Sequence, residues 1–227
     1  MITAETRVVA LLGHPVAGSL SPRMQNAAFA ARGLDWAYVA LDVAPSDLDT
    51  VVRGLAAAGF AGANVTAPHK LAAAALAETD LPSANTLVFE GGRVRGFSTD
   101  AAVLDRIDTR RPVVIGGGGA ARAFTEALPG ASTYSRGADW PPDADGADLV
   151  VNATSVRDDV LVTLSAGQTL VDLPYPDTAT AAAAREAGAE VIGGLEVLVA
   201  QGAAAFTLWT GLAAPIEVMR RAVGLHA

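Results

Sequence analysis

The run Val113-Val-Ile-Gly-Gly-Gly-Gly-Ala-Ala-Arg-Ala123 constrains the fold of this chain more than any other stretch. Three apolar β-formers read as a short buried strand, four glycines as a tight turn, and the alanine-rich continuation as a helix. Together they make the pattern on which a dinucleotide pyrophosphate is held. Gly116, Gly118 and Ala121 fill its three small positions, with Gly117, Gly119 and Ala120 between them. Glycine lets backbone approach the phosphates, and the positive end of the helix favours their charge. Tight turns also select glycine, but here the flanking strand and helix are both present. About 20 residues after Gly116, where an NAD site carries an acid for the ribose 2′-hydroxyl, stands Arg136, preceded by Ser135. A guanidinium and a hydroxyl suit a 2′-phosphate, so NADP is favoured; a solvent-facing arginine is the plainer alternative.

The rest of the chain alternates in the same way. Apolar runs at 7–13, 37–43, 62–66, 148–153, 169–173 and 190–192 read as strands. Helical patterns fall at 22–32, 45–58, 70–78, 101–108 and 178–187, and again from 195 to 224 with a break at 211–215. Residues 83–89 and 93–99 flank Glu90-Gly-Gly92 as a hairpin that delivers Asp100 at its far end. Pro141-Pro142 leaves little room for a helix between 137 and 148. This is an α/β chain.

Composition excludes several classes of function. A net charge of −8 argues against nucleic-acid binding. An anionic substrate must then be held by local groups. No cysteine means no disulfide and no thiolate chemistry, and three scattered histidines make a zinc site an unfavoured reading. The start, Met1 to Arg7, is polar and carries no signal-peptide pattern, and no apolar run reaches membrane-spanning length. A soluble cytoplasmic protein, monomeric or homodimeric, is expected.

Asn64-Val-Thr-Ala-Pro-His-Lys70 carries the chemistry. Of 16 basic residues only Lys70 is a lysine. Arginine cannot give up a proton at working pH, whereas a lysine in the right surroundings can. A codon bias toward arginine would also leave one lysine by chance, and the neighbours decide. Asn64 and Thr66 alternate like same-face residues at a strand end, Pro68 stops the strand, and Lys70 opens a helix. Ser19 and Ser21 occupy another strand-to-helix turn, with Ser21 as N-cap before Pro22; their hydroxyls can hold a carboxylate or merely cap.

In chain order, Ser19-Leu-Ser-Pro22, Asn64 to Lys70, Ala84-Asn-Thr-Leu-Val88, Ser98-Thr-Asp100, Gly116 to Ala123, Asp172-Leu-Pro-Tyr-Pro176, and Gly193-Gly-Leu195 through Gln201, Phe206 and Trp209-Thr-Gly211 resemble the motifs of the shikimate dehydrogenase family. The resemblance spans nearly the whole chain. It implies two domains around a cleft: a substrate-binding α/β domain of 1–100 with helices 196–227 returning to it, and a Rossmann-like NADP domain of 101–195. It implies NADP-linked interconversion of 3-dehydroshikimate and shikimate. Lys70 and Asp100 would flank the oxidised hydroxyl, supported by Asn64 and Asn85. Ser19 and Ser21 would bind the substrate carboxylate, and Thr66, Asn85, Tyr175 and Gln201 its hydroxyls. Asn152, Thr154 and Gly194 join the cofactor contacts. A dehydrogenase acting on quinate or an amino-analogue, or a non-catalytic protein binding shikimate-type ligands, carries similar motifs. The chain departs from the family in its shorter length, in Ser98 for the usual asparagine, in lacking a second basic residue after Arg136, and in Asn152-Ala-Thr-Ser-Val-Arg157, which lacks a proline and a following glycine–methionine.

Overall fold

The computed structural model describes residues 2–226. Backbone contacts divide the chain into two units, Met1–Thr99 with Val199–Ala227, and Asp100–Leu198. Asp100 and residues 196–198, set with the first domain by the family likeness, cluster with the second unit.

The first unit is built on a five-stranded sheet. Its strands are β1 (Arg7–Gly13), β2 (Trp36–Asp42), β3 (Gly62–Val65), β4 (Thr86–Glu90) and β5 (Arg93–Phe97), in the order β2-β1-β3-β4-β5. The first three are parallel; β4 and β5 form the expected hairpin, antiparallel to β3 and to each other. Gly91 and Gly92 both take positive φ at its tip, a conformation glycine adopts without strain. β1 lies between two parallel partners, which is why RVVALLG is a nearly continuous apolar run. Ala10 and Leu12 join Leu48 and Val52 of α2 (Leu48–Ala57) and Ala73 of α3 (Lys70–Leu76) in one core. A second set of contacts joins α1 (Ser21–Ala31) to the distal part of α6 (Gly194–Thr210): Phe29 stacks on Phe206 at 5.5 Å, and Gln25 Nε2 donates to the Gly202 carbonyl at 2.9 Å. α7 (Ile216–Ala222) is the last helix among the described residues.

The second unit holds an all-parallel sheet of β6 (Pro112–Ile115), β7 (Ser132–Tyr134), β8 (Leu149–Asn152), β9 (Thr169–Asp172) and β10 (Glu190–Ile192), ordered β10-β9-β8-β6-β7. The order reverses at β6, which makes the carboxyl ends of β6 and β8 a topological switch point, where such sheets bind ligands. α4 (Gly119–Ala127) follows β6, and α5 (Ala179–Glu186) joins β9 to β10.

The crossovers from β7 to β8 and from β8 to β9 contain no helix. Loop segments cover the sheet instead, burying Ala144 and Ala147 from one and Leu161, Val162 and Leu164 from the other. Buried loop backbone needs partners. Gln168 Nε2 donates to the carbonyls of Ala144 (3.0 Å) and Ala147 (2.8 Å), and Thr180 Oγ1 accepts from the Leu161 amide at 3.0 Å.

Two sequence-based expectations are corrected. The helix expected over 101–108 is a 3-10 turn, Ala102–Arg106, ended by Ile107 in extended conformation. Both flanks are tied elsewhere, Thr99 to Asn85 and 109–111 to Asp148, and the stretch held between these tethers closes as a 3-10 turn. Ser21 is not the N-cap of α1 but its first residue; Leu20 holds the cap position, and the Ser21 amide donates to Ser19 Oγ at 3.2 Å.

Candidate functional site

In the first unit the asparagines of two separate motifs meet. Asn64, on β3, accepts from Tyr38 Oη at 2.8 Å and donates through Nδ2 to Thr86 Oγ1 at 3.0 Å and to the Asn85 carbonyl at 3.2 Å. Asn85 is buried. Its Oδ1 accepts from the Thr99 amide at 2.7 Å, and its Nδ2 donates to Thr99 Oγ1 at 3.0 Å and to Gln201 Oε1 at 3.2 Å. Asn64, Asn85 and Gln201 thus belong to one polar network although they stand far apart in the chain. Such a network fixes side-chain direction when its members are satisfied.

Lys70 is the first residue of α3 and is half-buried. His69 sets its position. The ring is buried, and since a carbonyl only accepts, Nε2 carries the proton it donates to Val43 O at 2.8 Å. The Lys70 carbonyl in turn accepts from the Ala84 amide at 3.0 Å, which seats Lys70 one residue from Asn85 along the neighbouring segment. Thr66 sits just past β3, half-buried, its amide on the Leu12 carbonyl at 2.8 Å. Ser19 and Ser21 are half-buried at the start of α1. Asp100 is buried in the second unit, at the head of the 3-10 turn.

The glycine loop of the second unit fits a dinucleotide. Gly116 has φ of +139°, and a Cβ there would come within 2.9 Å of the Ala153 carbonyl oxygen. Gly118 takes the N-cap position of α4, with no atom near enough to crowd a Cβ. Gly117 lies in the turn, Gly119 and Ala120 open α4, and Ala121 is buried with its Cβ 3.2 Å from the Cβ position of Gly116. Small residues are therefore needed where backbone must reach a pyrophosphate, and α4 presents its positive end there. Ser135 and Arg136 follow β7, with Arg136 exposed.

Asn152 stands apart from the other expected cofactor contacts. It is fully buried, with Nδ2 donating to Asp172 Oδ1 at 2.6 Å and Oδ1 accepting from the Thr154 amide at 3.1 Å and hydroxyl at 2.8 Å. It supports the loop after β8 and has no exposed atom to offer a ligand. Thr154 is half-buried. Asp172 Oδ2 accepts from Thr178 Oγ1 at 2.8 Å, and that hydroxyl caps α5 by accepting from the Ala181 amide. Burial pushes the Asp172 carboxyl above its ordinary value, against these hydrogen bonds, which favour the charged form. Gly194 opens α6 against the exit of β9, where a Cβ would lie 2.4 Å from the carbonyl oxygens of Leu173 and Pro174. Tyr175 is half-buried, and Arg157 donates to its carbonyl at 2.5 Å.

Sequence reasoning missed Tyr38, His69, Thr86 and Arg157. His69 stood inside a motif already singled out. Thr86 likewise stood inside the Ala84 to Val88 motif, and Arg157 ended a stretch noted only for its departure from the family. Tyr38 reads as an ordinary strand residue, because its partner Asn64 lies 26 positions away. Among the described residues no group of three or more His, Asp or Glu side chains could hold a metal ion, and no helix is long and apolar enough to cross a membrane.

Residues 11–87 match the family model of the shikimate dehydrogenase substrate binding domain, and residues 194–223 that of the shikimate 5′-dehydrogenase C-terminal domain. A shikimate dehydrogenase (NADP(+)) of Anaeromyxobacter dehalogenans is 41% identical over 271 aligned positions, covering 98% of each chain. With 271 positions against 227 residues, at least 44 positions have no counterpart in this chain. A shikimate dehydrogenase solved in complex with NADP+ superposes with a TM-score of 0.85 at 32% identity, over 98% of this chain and 96% of its own. The enzyme of Thermus thermophilus, solved with NADP(H) and shikimate, gives 0.83 at 31% identity, over 95% and 98%.

Proposed function

The chain belongs to the shikimate dehydrogenase family, and from that premise we propose that it catalyses the NADP-linked, reversible reduction of 3-dehydroshikimate to shikimate. The observation that carries this reading is the network joining Asn64, Asn85 and Gln201, with the backbone of the single lysine fastened one residue away. Three of the motifs expected to touch substrate are thereby held together inside the first unit.

In this reading the first unit supplies most of the substrate contacts and the second binds cofactor, with Asp100 and Tyr175 of the second unit also assigned to substrate. The Ser19 and Ser21 hydroxyls hold the substrate carboxylate, a local solution in a chain whose net charge of −8 repels anions. Thr66, Asn85, Tyr175 and Gln201 hold the ring hydroxyls. Bound NADP supplies a nicotinamide that exchanges a hydride with the carbon bearing the reacting hydroxyl. Lys70 and Asp100 hold and move the proton at that hydroxyl oxygen, taking it in oxidation and returning it in reduction. The backbone of Gly116 to Ala121 takes the pyrophosphate, and Ser135 with Arg136 takes the 2′-phosphate. Action in the cytoplasm belongs to the same proposal.

Reduction of NADP by the purified protein with shikimate, with quinate and with buffer alone, repeated with NAD, tests it. Shikimate with NADP is expected to give the highest kcat/KM. Faster turnover of quinate would move the assignment to a quinate dehydrogenase. Binding of shikimate without turnover would leave a ligand-binding protein.

A further inference from the structure

We propose that Trp140 determines cofactor specificity by positioning Arg136 for the 2′-phosphate of NADP; this rests on the NADP-linked reading above. Arg136 is the only cationic side chain between Arg122 and Arg157, and Asp139, Asp143, Asp145 and Asp148 crowd the same segment. One guanidinium on a flexible stem must therefore compete with local negative charge to hold a dianionic group. Fixing that guanidinium in advance removes part of the ordering cost of binding.

The structure contains such a device. Ser135 and Ala138 exchange both backbone hydrogen bonds, at 3.0 and 2.9 Å, which closes a tight turn with Arg136 and Gly137 at its tip. Asp139 follows with φ of +52°, the one non-glycine residue with positive φ among the described residues, and folds the chain back. The Trp140 ring then lies with its centroid 5.9 Å from the Arg136 guanidinium carbon, within reach of a cation–π contact. The tryptophan is 40% exposed, while Pro142 and Ala144 just beyond it are buried, so core packing does not account for its ring.

The turn also stands at the phosphate site. A Cβ on Gly117 would lie 3.6 Å from Ser135 Cβ, and the Gly116 amide donates to the Tyr134 carbonyl at 2.8 Å. Arg136 is thus held at the rim of the glycine cradle. The helix-free crossover after β7 makes this possible, because Trp140 follows Arg136 by only four positions.

The test compares Trp140→Ala, Trp140→Phe and Arg136→Ala with the unmodified protein in two measurements. The first is the ratio of kcat/KM for NADP to that for NAD with shikimate. The second is calorimetric binding of adenosine 2′,5′-bisphosphate against ADP, which needs no turnover. Trp140→Ala should lower both the ratio and the 2′-phosphate preference about two- to fivefold, the size of an exposed cation–π contact. Trp140→Phe should retain most of both, since an aromatic face remains, and adding Trp140→Ala to Arg136→Ala should change neither further. Equal losses for both cofactors, or for both adenine probes, would make Trp140 merely structural and overturn the proposal, as would no change. A protein that binds the bisphosphate in a Trp140-dependent way but does not oxidise shikimate would support Trp140 and sink the substrate assignment.

Discussion

Lys70 bears the only side-chain amine in a chain that uses arginine at its other 15 basic positions. That asymmetry was visible in the sequence, and so were Asn64, Asn85 and Gln201 as family-like motif residues. What holds them was not visible. Tyr38 Oη reaches Asn64 from β2, and His69 fixes the start of α3 from within the core; neither contact leaves a periodic or compositional trace. The chemistry at Lys70 gives the sharpest residue-scale expectation. Arginine keeps the charge but stays protonated and spreads it over a planar fork. Lys70→Arg should lower kcat on the order of 10²–10⁴-fold, the range of a positioned acid–base group. KM for shikimate should change much less, because the carboxylate and most hydroxyls are held elsewhere, and thermal stability should stay near that of the unmodified protein. Near-normal kcat would leave Lys70 as a helix-start residue with no part in proton transfer.

At the scale of elements, strands were legible because parallel strands buried on both faces are short apolar runs, as β1, β6 and β8 are. The hairpin was legible from Gly91-Gly92, and the helix-free stretch before β8 from its two prolines. The 3-10 turn at 102–106 was not, because tethers at its two ends overrode a helical pattern. Nor was the role of Gly62, which depends on a contact from the far end of the chain. Trp209 Nε1 donates to the Leu87 carbonyl at 3.0 Å directly over this glycine. A Cβ on Gly62 would lie 2.2 Å from that carbonyl oxygen and 2.5 Å from the indole nitrogen. Backbone cannot yield as a flexible side chain can, so Gly62→Ala should cost about 1–3 kcal/mol, the usual range for overpacking, and expose Trp209 to solvent. A lowered urea midpoint with a red-shifted tryptophan emission would register both. Gly54→Ala is the control. It lies on the exposed face of α2 with open space around its Cβ position, and should stabilise by about 0.5–1 kcal/mol through helix propensity. If both variants melt alike, the indole contact does not constrain β3.

For the whole molecule, the sequence carried the α/β class and the glycine cradle, since both follow from local pattern. It did not carry the way a shortened chain closes its second unit. There Asp148 acts as the tie that replaces secondary structure: its carboxylate accepts from Thr109 Oγ1 at 2.5 Å and from the amides of Arg110 at 2.8 Å and Arg111 at 3.0 Å, fastening the strand entry of β6 beside that of β8. Burial pushes this carboxyl up, but the Thr109 hydroxyl and the two amides outweigh it and bring the pKa to about 2. A folded-state value below the unfolded one means the charged form is the one that stabilises. Its contribution is complete above an unfolded pKa near 3.8 and is lost as pH falls from there through about 2. Asp172 has the opposite sign: its raised carboxyl favours the folded state at low pH and loses that contribution as pH rises through its folded value. Urea midpoints followed from pH 5 downward should therefore fall most steeply below about pH 4, where Asp148 begins to take up its proton. Asp148→Asn places an amide where two backbone N–H groups and a hydroxyl all donate. It should lower the midpoint at pH 7 by the equivalent of about 1 kcal/mol, after allowing for the solvent access of this site. It should also flatten the acid slope, because the group that titrates there is gone. A variant that loses stability at pH 7 yet keeps the full slope below pH 4 would assign the acid sensitivity to other carboxylates and leave Asp148 a neutral tether.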